Sequence, residues 1–390
     1  MLVVCSENYY PWTAGLDSDS DVDEEALEKE AGGVFARIID TITEHSNHIS
    51  RLELYIPSNL FAIMAKSEFS GTWKTLSTLV LAVVSNNSGD VYFDTIKTFE
   101  DCPLLSDVSI CYTDSISNFL LPWASLVNLS LQGMSVINVA DALNACTRLE
   151  MLTADEVYEG EAWTLEAQNR TIVHQHLKTF NYRKEKDDVV DIAHTHALLN
   201  QFQAQEMTTF SLCLRCCNEF WADINVVRFQ TFVRDGWGPK LSNLSISQTH
   251  LDPIDFLSTL RLLPLLRILT IEEITWPSDA IYFRRELFMF MAQTDQQLLP
   301  NLESLLFEEG RDAFGFAWDE VEEDEYKRYV SPEPLFECLT QRWGTRGQSV
   351  NISQVLLRSV FLDVEEPYPL SDEQKAMMRF WREQGYRLVI

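Results

Sequence analysis

The sequence predicts an α/β solenoid, with parallel strands lining a concave face and helices on the convex one. Two observations predict it. First, a short phrase, L-x-x-L-x-L with Ile, Val, Met, Phe, Tyr or Ala admitted in the apolar slots, recurs eleven times. It opens at Ile49, Leu76, Leu105, Leu126, Leu149, Leu177, Met207, Leu241, Leu266, Leu302 and Ile352. Second, successive copies lie 27, 29, 21, 23, 28, 30, 34, 25, 36 and 50 residues apart. A leucine-rich repeat takes about 20–29 residues to make one short strand and one return segment. The shortest spacings fit directly, and the longer ones leave room for insertions outside the strand. The asparagine that commonly follows the L-x-L core is missing: its slot holds Val84, Met134 and Thr249. Each turn is then shaped individually, so the array is expected to be irregular.

The elements follow in chain order. Residues 1–48 read as an N-terminal strand (LVVC), an acidic loop and a capping helix. The run 16–30, LDSDSDVDEEALEKE, has almost nothing to bury and reads as a mobile, solvated stretch. After it, Val34, Phe35, Ile38, Ile39 and Ile42 recur at helical spacing. Residues 49–365 are the solenoid. Its returns read as helices: NVADALNAC before Leu149, a Pro-initiated helix after Asp252 with Ile254, Leu257 and Leu260 inward, and AIYFRRELFMFMA over 280–292. Each return runs into a phrase such as C-x-R-L-E-x-L or L-P-x-L-R-x-L. An acidic insertion near 308–330 interrupts the rhythm, and its segment 317–326 is expected to protrude and move. Residues 366–390 are a C-terminal capping helix and strand. Ser371 and Gln374 spell a capping box, Ala376, Met377, Phe380 and Trp381 make an apolar stripe, and RLVI ends the chain.

Composition narrows the function. Hydrophobic residues make up 46% of the chain, ample for a core, and 59 Asp+Glu stand against 30 Lys+Arg, a net charge of −29. Such a surface repels nucleic acid and anionic membranes, so neither is expected as a partner. The acids are unevenly spread: residues 1–48 hold 11 acids and 2 bases, and residues 303–325 hold 10 acids and 1 base. The start lacks a basic region and a long apolar run, and no segment approaches the roughly 18–20 apolar residues that span a bilayer. Eight scattered cysteines in such a chain are expected to be reduced, which places the protein in the cytoplasm or nucleus.

No constellation points to catalysis. Cys213-x-x-Cys216-Cys217, with His174, His176, His194 and His196 upstream, is the sharpest cluster. Zinc needs four converging ligands, and residues three apart in a strand point to opposite faces. The cysteines read as small core residues and the histidines as surface-loop residues. The Asp17–Asp23 run has Val22 where a calcium loop needs Gly. No phosphate loop, dinucleotide fingerprint or nucleophile elbow occurs. The chain is therefore expected not to be an enzyme and to need no cofactor or metal. A metal-dependent enzyme is the contrary reading.

The phrases SNHISRLELYIP, LPLLRILTI, LPNLESLLFEEG and FWREQGYRLVI resemble the leucine-rich half of fungal F-box proteins, the group expanded in mushroom-forming fungi. The resemblance runs over about residues 1–390 and implies the substrate-recognition part of a ubiquitin-ligase receptor. The F-box phrases themselves, L-P-x-E-I-x-x-x-I-F and V-C-[RK]-x-W, do not occur. Docking on the adaptor of a cullin–RING ligase is thus expected only where an F-box precedes this sequence. A stand-alone interaction or scaffold protein without the ligase link is the alternative. The expected protein-binding positions are the third, fifth and seventh of the phrase: Arg51, Glu53, Tyr55, Asn128, Ser130, Gln132, Thr179, Asn181, Arg183, Asn243, Ser245 and Ser247, with Glu272, Glu308 and Arg358 further on.

Overall fold

A computed structural model describes residues 2–5, 24–57, 60–61, 64, 72–83, 95–113, 115–159, 171–187, 193–216, 229–231, 233–247, 253–272, 277–292, 298–308, 332–343, 357–363 and 370–390. They are α/β, and they fall into two compact units: Met1–Trp163 with His174–Leu177, and Thr164–Val173 with Lys178–Ile390.

In the first unit β1 (Leu2–Cys5), β2 (Arg51–Ile56), β3 (Thr78–Val83), β4 (Asp107–Cys111), β5 (Asn128–Gln132) and β6 (Met151–Val157) form a parallel sheet in which spatial order equals chain order. Local chemistry sets each strand. A tight turn precedes it, in which the first Leu of the phrase donates its N–H to the carbonyl three residues back: Leu76 to Trp73, Leu105 to Cys102, Leu126 to Trp123, Leu149 to Cys146. Then the next two N–H groups both donate to one carbonyl of the preceding strand's lead-in. Ser77 and Thr78 bond Ser50 O, Ser106 and Asp107 bond Ser77 O, Val127 and Asn128 bond Ser106 O, and Glu150 and Met151 bond Val127 O. This fixes the register and satisfies the backbone at each strand's start.

Alternation does the rest. Leu52, Leu54, Leu79, Leu81, Val108, Ile110, Leu129, Leu131, Leu152 and Ala154 point to one face and are buried. Each fully buried Leu contributes about 1.5–3 kcal/mol. The turn residues Cys102 and Cys146 are buried too, and burial pushes both thiols up to about 12, so they act as small core residues. Helix α1 (Glu24–Glu44) buries Phe35, Ile39 and Ile42. Helix α2 (Val136–Ala145) starts at Ser135, whose hydroxyl accepts from Asn138 N. The Asn138 side chain in turn accepts from Ile116 N at 3.2 Å, tying helix to neighbouring loop.

β7 (Ile172–His174) and β9 (Phe202–Ala204) make a separate short pair. In the second unit β8 (Thr179–Asp187), β10 (Thr209–Cys216), β11 (Asn243–Ser247), β12 (Ile268–Glu272), β13 (Ser304–Glu308), β14 (Ser359–Asp363) and β15 (Arg387–Val389) form a parallel sheet, adjacent in that order. The double-donor pattern repeats at Lys178, Thr208, Ser242, Arg267 and Glu303. The lead-in turns place proline after the accepting residue at Pro239, Pro264 and Pro300, where its fixed φ suits the turn. Helices α3 (Ala193–Gln201), α4 (Pro253–Leu260), α5 (Pro277–Ala292), α6 (Glu333–Trp343) and α7 (Asp372–Glu383) lie in the returns. The Ser371–Gln374 capping box forms. Trp381 packs on Phe336 and Trp343, and Tyr386 stacks on Trp343 at 4.7 Å, so α6, α7 and the residue leading into β15 share one aromatic cluster.

Several expectations need correction. The strand of the eleventh copy is β14, opened by Leu357 as LRSVFL, not by Ile352. A five-residue shift is odd, so it exchanges the faces of the strand. Arg358 therefore precedes β14, and Asp363 takes the place expected of Arg358. The acidic run is not loop throughout, because α1 starts at Glu24. The helical stripe is narrower than its spacing suggests: Val34 and Ile38 are exposed. Ile254 is 62% exposed, and Phe256 takes its inward place beside Leu257 and Leu260. In α7 only Met378 and Trp381 are buried; Ala376 is exposed and Met377 and Phe380 are half-buried. Residues 16–23 and 309–331, including the expected insertion, lie outside the described residues.

Candidate functional site

The outward face of each sheet is built by the same alternation that buries the leucines. In the first unit the third positions in register are Arg51, Thr78, Asp107, Asn128 and Met151. The fifth are Glu53, Val80, Ser109, Ser130 and Thr153, and the seventh Tyr55, Ala82, Cys111, Gln132 and Asp155. Arg51, Glu53 and Tyr55 are brought together. Arg51 Nε donates to Glu53 Oε1 at 2.6 Å, and Tyr55 OH donates to Glu53 Oε2 at 3.3 Å. Burial, then Glu53, pushes the Tyr55 phenol up. Asn128 donates to Asp107. Ser130 and Gln132 are half-buried one and two register steps beyond.

The most constructed feature sits at the strand ends. Tyr112, Gly133 and Glu156 each follow a seventh position directly, and all three are left-handed, with φ of +56°, +62° and +51°. They lie side by side because Cys111, Gln132 and Asp155 are register partners. Tyr112 N donates to Gln132 O at 2.7 Å, and Gly133 N to Asp155 O at 3.0 Å. The Tyr112 ring lies across Gly133, where an added Cβ would stand 2.3 Å from Cδ1. The phenol donates to Glu156 Oε2 at 2.6 Å, and Gln132 Nε2 donates to the phenol oxygen at 2.8 Å and to Glu156 Oε2 at 3.1 Å. The Glu156 hydrogen bond, then burial, pushes the phenol up to about 12. Burial, against a hydrogen bond with Ser109, also raises the neighbouring Cys111 thiol. This is an exposed aromatic anchor hydrogen-bonded to a carboxylate and an amide.

In the second unit the third positions are Thr179, Thr209, Asn243, Ile268, Ser304, Ser359 and Arg387. The fifth are Asn181, Ser211, Ser245, Thr270, Leu306, Phe361 and Val389, and the seventh Arg183, Cys213, Ser247, Glu272, Glu308 and Asp363. Thr179, Asn181, Arg183, Asn243, Ser245 and Ser247 are thus half-buried on one face, and Asn243 Nδ2 approaches Thr209 Oγ1 at 3.5 Å. Towards β15 the face turns apolar: Ile268, Phe361 and Val389 are exposed.

The cysteine–histidine cluster is taken up elsewhere. Cys213 sits on the outward row, and Cys216 lies past a register shift in β10. His174 is buried against Leu143 O at 2.7 Å, not on a surface loop, and burial lowers its pKa. Among the described residues, no group of three or more His, Cys, Asp or Glu side chains is placed to hold a metal ion. Among them, no helix is long and apolar enough to cross a membrane. Sequence reasoning missed Asp107, Tyr112, Glu156, Leu306, Phe361 and Val389. For Asp107 and Leu306 the signal was present, since they hold the third and fifth positions of their phrases, whereas Phe361 and Val389 reach the fifth row only through strand register, and Tyr112 and Glu156 lie one residue beyond the seventh. Those two hold the eighth, which the phrase does not include. Compared with models of protein families and with curated proteins, the chain matches none.

Proposed function

We propose that this chain is a protein-binding leucine-rich-repeat solenoid, similar to the substrate-recognition part of an F-box ubiquitin-ligase receptor. The observation that supports the reading most is the repeated strand start. The same turn, the same double-donor carbonyl and the same inward leucines recur strand after strand, and most of the outward positions are half-buried or exposed. A series of parallel strands built this way presents a continuous row of side chains, the kind of surface repeat proteins use for protein partners. Tyr112, Tyr55 and Arg51 are residue types that dominate binding hot spots. The net charge of −29 favours basic partners and disfavours nucleic acid.

The test is cross-linking of the full chain to partners captured from extract, with cross-linked sites mapped by mass spectrometry. The expected result is cross-links on the outward rows, and loss of the partner on a Tyr55→Ala, Tyr112→Ala double variant or on outward substitutions in the second unit, each still folded at the assay temperature. Cross-links confined to the helical returns would sink the reading. Ligase linkage is tested separately. Residues 1–390 mixed with the adaptor of a cullin–RING ligase are expected to recover only background, since the F-box phrases do not occur in them. Stoichiometric recovery would reveal an adaptor-docking surface within the chain.

A further inference from the structure

We propose that Tyr112, Gln132 and Glu156 bind an arginine side chain of a protein partner, whose guanidinium pairs with Glu156 and lies against the Tyr112 ring. The proposal rests on the protein-binding reading above and names the side chain that this part of the surface takes.

The chain contains the finished arrangement once. On β2 Glu53 accepts from the Tyr55 phenol through Oε2 at 3.3 Å and from Arg51 Nε through Oε1 at 2.6 Å, so a tyrosine and an arginine share one carboxylate. At the ends of β4–β6 the tyrosine half recurs. Glu156 Oε2 accepts from the Tyr112 phenol at 2.6 Å and from Gln132 Nε2 at 3.1 Å, and both donors are neutral. Among the described residues Glu156 forms no ion pair, and neither its Oε1 nor Gln132 Oε1 accepts a hydrogen bond. The local field has one sign. The Tyr112 phenol is pushed up by its bond to Glu156, then by burial, then by the charges of Glu156, Cys111 and Asp155, with no base opposing them. At Tyr55, raised by burial and then by Glu53, Arg51 pulls the other way. Tyr112 is 47% exposed even though its ring rests on Gly133.

The backbone adds an independent observation. Tyr112 and Glu156 are left-handed, at φ of +56° and +51°, where glycine or asparagine sits with less strain. Non-glycine residues held in such conformations collect at binding and catalytic sites. Here the strained pair sets an aromatic ring and an unneutralised carboxylate together. That pairing selects the occupant. A guanidinium is planar and weakly hydrated, carries five donors, stacks on aromatic rings and pairs with carboxylates. It can donate to both open oxygens while it covers the ring. The ammonium of a lysine is a compact, strongly hydrated charge that cannot do both as well. One carboxylate beside a protonated phenol offers too few oxygen ligands for a metal ion. A second copy of the chain carries a net charge of −29 and is disfavoured, so the arginine comes from a partner less acidic than this chain.

The experiment titrates N-acetyl-arginine methylamide, an arginine side chain between peptide bonds, into the full chain with isotopically labelled tyrosine rings, followed by NMR. The Tyr112 signal is the one absent from Tyr112→Phe. It should shift saturably, with a dissociation constant on the order of a few millimolar, the scale of one such contact. The citrulline analogue, neutral and similar in shape, should give no saturable shift. The lysine analogue should bind at least about threefold more weakly. Glu156→Gln should weaken arginine binding by about fivefold to tenfold. Glu206→Gln, which removes an equal charge from the second unit, should leave it unchanged. Should Glu156→Gln fail to fold, the citrulline analogue tests the charge on the parent chain. Equal binding of the citrulline or the lysine analogue overturns the proposal. So does equal loss on Glu206→Gln, or a uniform response of all the tyrosines, either of which means diffuse attraction to an acidic surface. Tighter binding of free arginine than of its blocked form would overturn a protein as the source. A failed titration beside natural cross-links on the outward rows would overturn this site and leave the protein-binding reading standing. Cross-links confined to the helical returns would remove that reading, and the protein source of the arginine with it.

Discussion

At the ends of β4–β6 the outward side chains bond to one another: Tyr112 lies over Gly133 and, with Gln132, grips Glu156. At the fifth positions of β13–β15 the second unit carries Leu306, Phe361 and Val389 in direct register, with Phe361 and Val389 exposed. The same phrase with the same inward leucines supports both. The inward positions are dictated by packing, where every side chain answers to neighbours above, below and beside it. The outward positions answer only to solvent and to partners. One unit has used that freedom to build a polar anchor, and the other has left an apolar ledge.

If packing dictates the inward rows equally in both units, truncating them should cost alike. Leu129→Ala in the first and Leu269→Ala in the second are each expected to lose about 2–5 kcal/mol in urea unfolding. Both side chains are buried in the middle of a sheet. Parent-like unfolding of either variant would break the comparison at its base, because that unit would then not depend on its leucine row.

The next effect separates the units. Gly133→Ala meets two obstacles, a left-handed backbone and the Tyr112 ring 2.3 Å from the new Cβ. The backbone alone costs about 1–2 kcal/mol, and the displaced ring forfeits its bond to Glu156. In a Tyr112→Ala background only the backbone cost should remain, so the two substitutions should be non-additive. Strict additivity would mean that the ring does not rest on residue 133.

The phenol itself gives a pH signature. Its folded pKa, about 12, stands above the ordinary 10.0. The protonated Tyr112 thus supports the fold fully below about pH 10, and its contribution is lost as pH rises from 10 towards 12. The phenolate absorbance of the protein minus that of Tyr112→Phe should rise near pH 12. Glu156→Gln, which removes the main cause, should move that rise back towards 10. An unmoved titration would place the cause elsewhere.

Much of this was legible in the chain because the inward rule is local. Ten of the eleven phrases predicted a strand starting two residues later, and the leucines they named are buried. The eleventh failed where two apolar frames overlap. Ile352-x-x-Val355-x-Leu357 and Leu357-x-x-Val360-x-Leu362 both satisfy the phrase, and nothing in the sequence alone says which pairs with Leu305 and Phe307. The wrong frame put Arg358 at the register position where Asp363 stands, and so hid Phe361. Ile254 failed for a different reason: helical spacing admits either Ile254 or Phe256 as inward, and the larger ring fills the space. The Tyr112 anchor was illegible because it needs three left-handed residues brought level by register, and no single repeat contains it.

The smallest effect is the sharpest check on the second unit. If the ledge is a free surface in the isolated chain, Phe361→Ser and Val389→Ser should change stability by no more than about 0.5 kcal/mol, the usual range for exposed positions. Phe361 is flanked by Leu306 and Val389, so some side-chain contact is lost, but the residue is 37% exposed. A cost near that of Leu269→Ala would mean that the row is packed under another part of the chain. The contrast between a closed face and an open one would then fail. A near-zero cost would show that the row is held apolar for a reason other than the stability of the isolated chain.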